Sequence, residues 1–467
     1  MDARELAEKV RARKIDPVQS IKEVLQKIKR INAEYHYFTT ICEENALEQA
    51  EQVKRNPKGK LAGVPVSVKD CICVKGVESA AGSRILEGYK PVFDATAVEL
   101  LREEGAIIIG KTSQDEFGFG GFSANVGIGH QKPLNPFDRQ RSCGGSSGGS
   151  AGITQKADFP HISLAESTGG SIVNPASFCG VVGLCPTYGA VSRYGLLDYA
   201  NSLDKIGPMA KSIAEARLMF DIIAQHDEKD ATSVPHGQRQ KHKEKNPEEM
   251  RIGIISYVMG DGIAEPIQEH TKKVIERLRQ KGIACKEVAL PTVKEFAIAT
   301  YYLLATAEAS TNLAKYCGMR YGKAEQLKGN FNDYFSDVRS RNFGKEAKRR
   351  VILGTFARMA GYRDAYYLKA AKVRTKIIEE YRELFKSYDT LLSPTVPILP
   401  PTFEEIGNLT PLAQYMLDAL TVGPNLAGLP HMNLPSGNAQ GLPVGTLLTA
   451  DHFNEHILFR LGEILEG

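Results

Sequence analysis

The segments RIGIISY at 251–257 and IACKEVAL at 283–290 are two apolar, β-branched runs joined by a helical stretch that closes near Gly282. That spacing suits a strand, a crossover helix and a second strand beside the first, which commits the chain to parallel pairing in a sheet faced by helices. DATAVELLREEGAIIIGKT repeats the logic: Asp94 is placed to cap a helix, Gly105 to end it, and Ile107 to Ile109 to run as a short buried strand. In GVPVSVKD, Val64, Val66 and Val68 alternate as in a strand and Lys69 stands at its end; DTLLSPT at 389–395 is a further strand before the Pro-rich turn PILPPT. Near the start, Asp16 and Pro17 suit the N-cap and first turn of a helix whose Val18, Ile21, Leu25, Ile28 and Ile31 recur at helical spacing. There is no repeat of fixed period and no clean linker. The reading is one α/β domain over residues 1–467, on a large open twisted mixed sheet, mostly parallel and flanked by helices.

Composition narrows the function classes. A chain of 467 residues with 42% hydrophobic content buries a large core. The start, MDARELAEKVRARK, has no apolar leader segment, and no run of about eighteen apolar residues occurs, so the reading is a soluble cytoplasmic protein with no membrane contact. A net charge of +4 does not argue for nucleic acid, and the basic stretch HGQRQKHKEKNPEEMR at 236–251 interleaves acids and lacks aromatics, as a solvated loop does. The 8 cysteines are scattered, and Cys71 and Cys73 form a bare CxC without His or Cys partners in a recognised pattern; no metal is expected.

Chemistry points to two serine-glycine knots, GGSSGGS at 144–150 and TGGSI at 168–172. Alone, each reads as a turn in which glycines permit positive φ and serines bond nearby backbone. Neither is a phosphate loop of the GxxxxGK[ST] type, and neither is a GxSxG nucleophile elbow. His130 and His161 lie near in sequence and could activate a serine; so could a buried lysine in its neutral form, and Lys69 at the end of an apolar strand is that candidate.

Lys69 in VPVSVKD followed by the two knots, in this order and at about these separations, resembles the amidase signature family. The resemblance runs from about residue 5 to 460, with its core at about 55–210. It implies a Lys, a Ser in a cis peptide and a nucleophilic Ser on one large α/β fold: Lys69 as base, Ser146 as the relay and Ser171 as the nucleophile. It also implies an oxyanion site from the backbone N–H groups of Thr168, Gly169, Gly170 and Ser171. Ser147 is the rival for the relay.

Within the family, KTSQDEFGFGG, YYLLATAEASTNLAKY, AKRRVILGTFARMAGYRDAYYLKAAKVR and GPNLAGLPHMNLP are most similar to the glutaminase subunits of heterotrimeric aminoacyl-tRNA amidotransferases. That resemblance implies a glutamine-hydrolysing component whose ammonia converts Glu-tRNA(Gln), Asp-tRNA(Asn) or both. It also implies that glutamine is held by Tyr301, Arg350 and Asp418, Tyr302 being adjacent to the first. An arginine can fork a carboxylate and an aspartate can accept from an ammonium. B and C subunits are the implied partners: B binds the mischarged tRNA and uses ATP and Mg, so this chain needs no cofactor and little tRNA affinity of its own. The chain departs from the family's G-S-D-T-G-G-S-I-R-Q-P-A at Ala165, Glu166, Ser167, Val173 and Asn174. An acid and an arginine are missing together, as if an ion pair beneath the loop were replaced by Glu166 or by uncharged packing. A free-standing amidase for another small amide and a non-catalytic scaffold are the alternative readings.

Overall fold

A computed structural model describes residues 1–260 and 262–466. Eleven strands form one sheet: β1 (Phe38–Ile41), β2 (Pro65–Lys69), β3 (Ile107–Thr112), β4 (Ile162–Ser167), β5 (Val182–Cys185), β6 (Lys205–Ala210), β7 (Arg251–Ile255), β8 (Ala284–Val288), β9 (Thr390–Pro394), β10 (His431–Ala439) and β11 (Leu442–Ala450). Their order is β1-β3-β2-β4-β6-β5-β10-β11-β9-β7-β8. The apolar runs at 251 and 283 form β7 and β8, paired in parallel with the helix Glu265–Gln280 between them.

Parallel pairing is confined to two trios, β3-β2-β4 and β9-β7-β8, and every other pairing is antiparallel, so the sheet is mixed rather than mostly parallel. The connection β10 to β11 shows the physical reason. Gln440 and Gly441 are both at positive φ, the conformation of a two-residue hairpin turn, and so short a link can join only antiparallel strands.

Local signals resolve as follows. Asp16 caps the helix Pro17–Tyr35, accepting from the Val18 N–H at 2.9 Å, and Val18, Ile21, Leu25 and Ile28 are buried on one face. Asp94 does not cap the helix Thr96–Glu103, whose N-cap is Ala95; it accepts instead from the Lys75 N–H at 2.7 Å and pairs with Arg102 at 2.8 Å. Strand β2 is buried along its whole length, because β3 and β4 flank it and helices cover both faces; its valine alternation marks register, not a wet side. The stretch 236–251 is mostly exposed, carrying only the short turns His236–Gln238 and Pro247–Glu249 before β7. No helix among the described residues is long and apolar enough to cross a membrane.

Topology positions the site. Strands β2 and β4 are parallel neighbours, Val68 opposite Leu164, so both end at the same edge of the sheet. Lys69 closes β2 there, and the second knot leaves β4 there and enters the helix Val173–Cys179. The first knot arrives at that edge through the start of the helix Gly148–Lys156, which leads back into β4. Side chains at the carboxyl ends of parallel strands converge on one crevice.

Candidate active site

Lys69 is fully buried, and its Nζ lies 2.7 Å from Ser146 Oγ, 2.9 Å from the Glu166 carbonyl and 2.8 Å from Glu166 Oε2. The Gly145–Ser146 peptide is cis. Ser147 Oγ points away from the lysine and donates to the Glu166 carbonyl at 3.0 Å, so Ser146 is the knot serine that Lys69 reaches.

Close packing seats the first knot. A Cβ on Gly145 would stand 2.2 Å from Asp115 Oδ2 and 2.6 Å from the Ser123 N, which only glycine permits. The Asp115 carboxylate accepts from the N–H groups of Ser123 at 2.9 Å and Asn125 at 2.8 Å, folding 115–125 around the knot. Burial pushes the Asp115 carboxyl up to about 6, against the pull of those two N–H groups.

The second knot lies alongside the first: the Ser147 N–H donates to the Ser171 carbonyl at 3.2 Å. Ser171 is 7% exposed, the open position of the cluster, and its Oγ makes no hydrogen bond among the described residues. Contacts of this kind are often loose until substrate arrives. The N–H groups of Thr168, Gly169, Gly170 and Ser171 donate to no acceptor among the described residues, leaving a run of free donors beside the serine. Asn425, inside the stretch GPNLAGLPHMNLP, fixes the other side of that backbone by donating to the carbonyls of Thr168 and, at 2.7 Å, Gly169.

Around this mouth stand the three residues assigned to substrate. Tyr301 is buried against the knot, its hydroxyl 2.8 Å from where a Gly169 Cβ would be. Arg350 is buried under four aromatic rings, Phe119, Tyr199, Tyr302 and Tyr415; its Nε donates to Glu346 at 2.9 Å and its Nη1 to the Tyr199 hydroxyl at 2.6 Å. Its Nη2 donates to no group among the described residues. Asp418 accepts from Asn174 Nδ2 at 2.7 Å and from the Tyr302 hydroxyl at 2.8 Å, and burial raises its carboxyl above the ordinary range against those two bonds. Tyr302 therefore links the pair, with the guanidinium over its ring at 5.3 Å and the carboxylate on its hydroxyl.

Several of these residues carried no signal. Tyr302 and Tyr199 read as ordinary core aromatics, and Asn174 was only a departure from a related pattern. The Asn174 amide tucks under Gly170, 2.3 Å from where its Cβ would be, and leaves its buried Oδ1 without a partner beside the carboxylate it holds. The histidines bond neither knot: His161 bonds Ser67 Oγ at 3.0 Å, and burial pushes its imidazole down to about 3. At the departures beneath the loop, Val173 is fully buried and Ser167 Oγ donates to the Gly169 carbonyl at 3.0 Å, so uncharged packing fills the place of an ion pair. Glu166 turns the other way, to Lys69. Cys71 and Cys73 are buried free thiols, and among the described residues no group of three or more His, Cys, Asp and Glu is placed to hold a metal ion.

Residues 19–459 match the family described as amidase. The chain is similar to the glutaminase-type A component of glutamyl-tRNA(Gln) amidotransferase from Archaeoglobus fulgidus, 44% identical over 95% of this chain and 94% of that protein. To the component of the same name from a Cyanothece species it is 40% identical over 99% of this chain and 97% of the other. The crystal structure of the corresponding glutamyl-tRNA(Gln) amidotransferase component from Thermotoga maritima superposes with a TM-score of 0.79 at 34% identity, over 99% of this chain and 92% of that one.

Proposed function

This chain belongs to the amidase family, and on that premise we propose that it is the glutamine-hydrolysing component of a tRNA-dependent amidotransferase. The observation that carries the reading is end-to-end similarity to such components, at 44% identity over 95% of the chain, combined with a cation and a carboxylate joined through Tyr302 beside the second knot. A free amino acid carries both charges that such a pair selects; an apolar amide carries neither.

In this reading Ser171 is the nucleophile, Ser146 the relay and Lys69 the base. Neutral Lys69 takes the Ser146 proton as Ser146 takes that of Ser171, and Ser171 Oγ bonds to the side-chain carbonyl carbon of glutamine. The free N–H groups from Thr168 to Ser171 receive the oxyanion, Arg350 the α-carboxylate and Asp418 the α-ammonium. The proton then returns through Ser146 to the departing nitrogen, the C–N bond breaks, and ammonia leaves an acyl-Ser171 that water hydrolyses. Tyr301, against Gly169, closes the wall beside the oxyanion site.

The ammonia would serve a B subunit that activates mischarged tRNA with ATP and Mg, with a C subunit joining the two, in the cytoplasm. This chain then needs no cofactor of its own and forms one amidase unit over 1–467. The test is ammonia release from glutamine by the chain purified with those partners, mischarged tRNA and ATP, for wild type and Ser171→Ala. Release that vanishes in the variant supports the reading; no release from the assembled wild type overturns it in favour of another amide or a scaffold role.

A further inference from the structure

We propose that Glu166 is a positioning residue that acts through Lys69: its carboxylate is a built-in counter-ion for the lysine ammonium and sets Ser171 to work in a more alkaline range than the same site without it. The proposal rests on the reading of Lys69 as base and goes beyond it.

The geometry is that of a closed ion pair. Lys69 Nζ has three acceptors for three N–H donors: Ser146 Oγ at 2.7 Å, the Glu166 carbonyl at 2.9 Å and Glu166 Oε2 at 2.8 Å. The two side chains are 0% and 4% exposed, so the attraction is little screened by solvent. At this position the related pattern has a serine, which brings no charge.

Hydrogen-bond counting says which acid is ionised. Glu166 Oε1 lies 2.9 Å from Thr168 Oγ1, and that hydroxyl also lies 2.7 Å from Asp204 Oδ1. One hydroxyl proton cannot serve two carboxylates, so one of the two acids is itself a donor. Asp204 is that acid: burial, and next the charge of Glu166, push its carboxyl well above the usual range. Its Oδ2 still accepts from the N–H groups of Tyr199 at 2.9 Å and Ala200 at 3.0 Å, which leaves Oδ1 free to carry the proton. The order is therefore Asp204 to Thr168, Thr168 to Glu166, and Glu166, ionised, to Lys69.

Other groups facing the pair do not displace this arrangement. The Cys71 thiol lies 3.9 Å from Glu166 Oε2, Asp115 sits beyond the first knot, Asp198 lies near Asp204, and Lys205 donates to the Leu429 carbonyl at 3.0 Å. Lys69 is the one cation paired with Glu166 among the described residues. For the site to work, Lys69 must first lose a proton to solvent, which the adjacent carboxylate opposes. In the reaction that follows, protons move from Ser171 to Ser146 to Lys69 and back to the leaving nitrogen, and Glu166 neither gains nor loses one.

Glu166→Gln, nearly isosteric, and Glu166→Ser, the residue of the related pattern, test this in the full chain with folding checked by circular dichroism. One readout is ammonia release from glutamine by the assembled complex across about pH 6 to 10. The other is capture of Ser171 by a phosphonofluoridate followed by intact mass: the serine oxygen bonds to phosphorus, fluoride leaves, and the serine proton is lost. The pH of half-maximal capture should fall by at least about one unit in either variant, raising the rate near pH 7 about tenfold. An unchanged midpoint in folded variants, or capture lost at every pH, overturns the proposal. A midpoint that shifts while no form releases ammonia from glutamine upholds the role of Glu166 and overturns the choice of glutamine. Should Glu166→Gln not fold, Glu166→Ser decides.

Discussion

Replacing Arg350 with methionine isolates what the charged clamp contributes. The guanidinium is buried, and its Nη1 and Nη2 edge has N–H groups to spare after the bonds to Glu346 and Tyr199. A carboxylate on that edge takes two charge-assisted bonds, each worth about 1.5–3 kcal/mol. Taking the lower end gives about 3 kcal/mol, roughly a 150-fold loss of kcat/KM for glutamine. Because the α-carboxylate is held equally before and during attack, the loss should fall mainly on KM. The fold should survive: methionine keeps the stem's volume under the aromatic rings, and Glu346 retains Arg349 and the Tyr415 hydroxyl at 2.8 Å. The assay is steady-state ammonia release, with phosphonofluoridate capture of Ser171 as the control, since that reagent has no carboxylate for Arg350 to hold. A loss of kcat/KM below about tenfold in folded protein would refute the clamp, because a single charge-assisted bond already exceeds that. An equal fall in capture would refute it too, by placing the effect on the serine.

Three other perturbations separate roles that the sequence alone left joined. Ser146→Ala should lower kcat by about 10²–10⁴ in steady-state turnover, whereas Ser147→Ala should keep turnover within about fivefold and cost about 1 kcal/mol of stability in a denaturant melt. Val173→Arg should destabilise by about 3–5 kcal/mol, because Val173 is fully buried beside the uncharged Ser167; adding Ser167→Asp should recover at least half, read as a double-mutant cycle. Glu116 accepts from Ser83 Oγ at 2.6 Å and from the N–H of Gly344, the N-cap of the helix that carries Arg350, at 2.9 Å, and burial pushes its carboxyl up to about 7. The folded state thus holds that proton more tightly than the unfolded one. Its contribution to stability is full below the ordinary carboxylate range and is lost as pH rises towards 7, so Glu116→Gln should flatten the dependence of Tm on pH between about 5 and 7.

By itself the sequence determined whatever rests on local pattern or on residue order. The period of apolar residues in 17–35 and the Asp16-Pro17 start define a helix that needs no distant information. The runs at 251 and 283, spaced by one helix length, define a parallel pair for the same reason. The order lysine, first knot, second knot carried the family, because that chemistry needs those residue types wherever the fold brings them together. The β10 to β11 hairpin was not legible: its turn is Gln440-Gly441 rather than a strong hairpin dipeptide, and its β11 strand is buried throughout, without the alternation that marks a half-exposed strand. Nor were the residues that act across the fold. Asn425 and Asp418 are more than 240 positions from the loop residues they bond, and only the sheet and its covering helices bring them together. Glu166 is the sharpest case: its letter marked a departure, but whether it would lie under the loop or turn to Lys69 depended on β2 and β4 ending side by side. A side chain's type is fixed by the sequence; its partner is fixed by which strand end it shares.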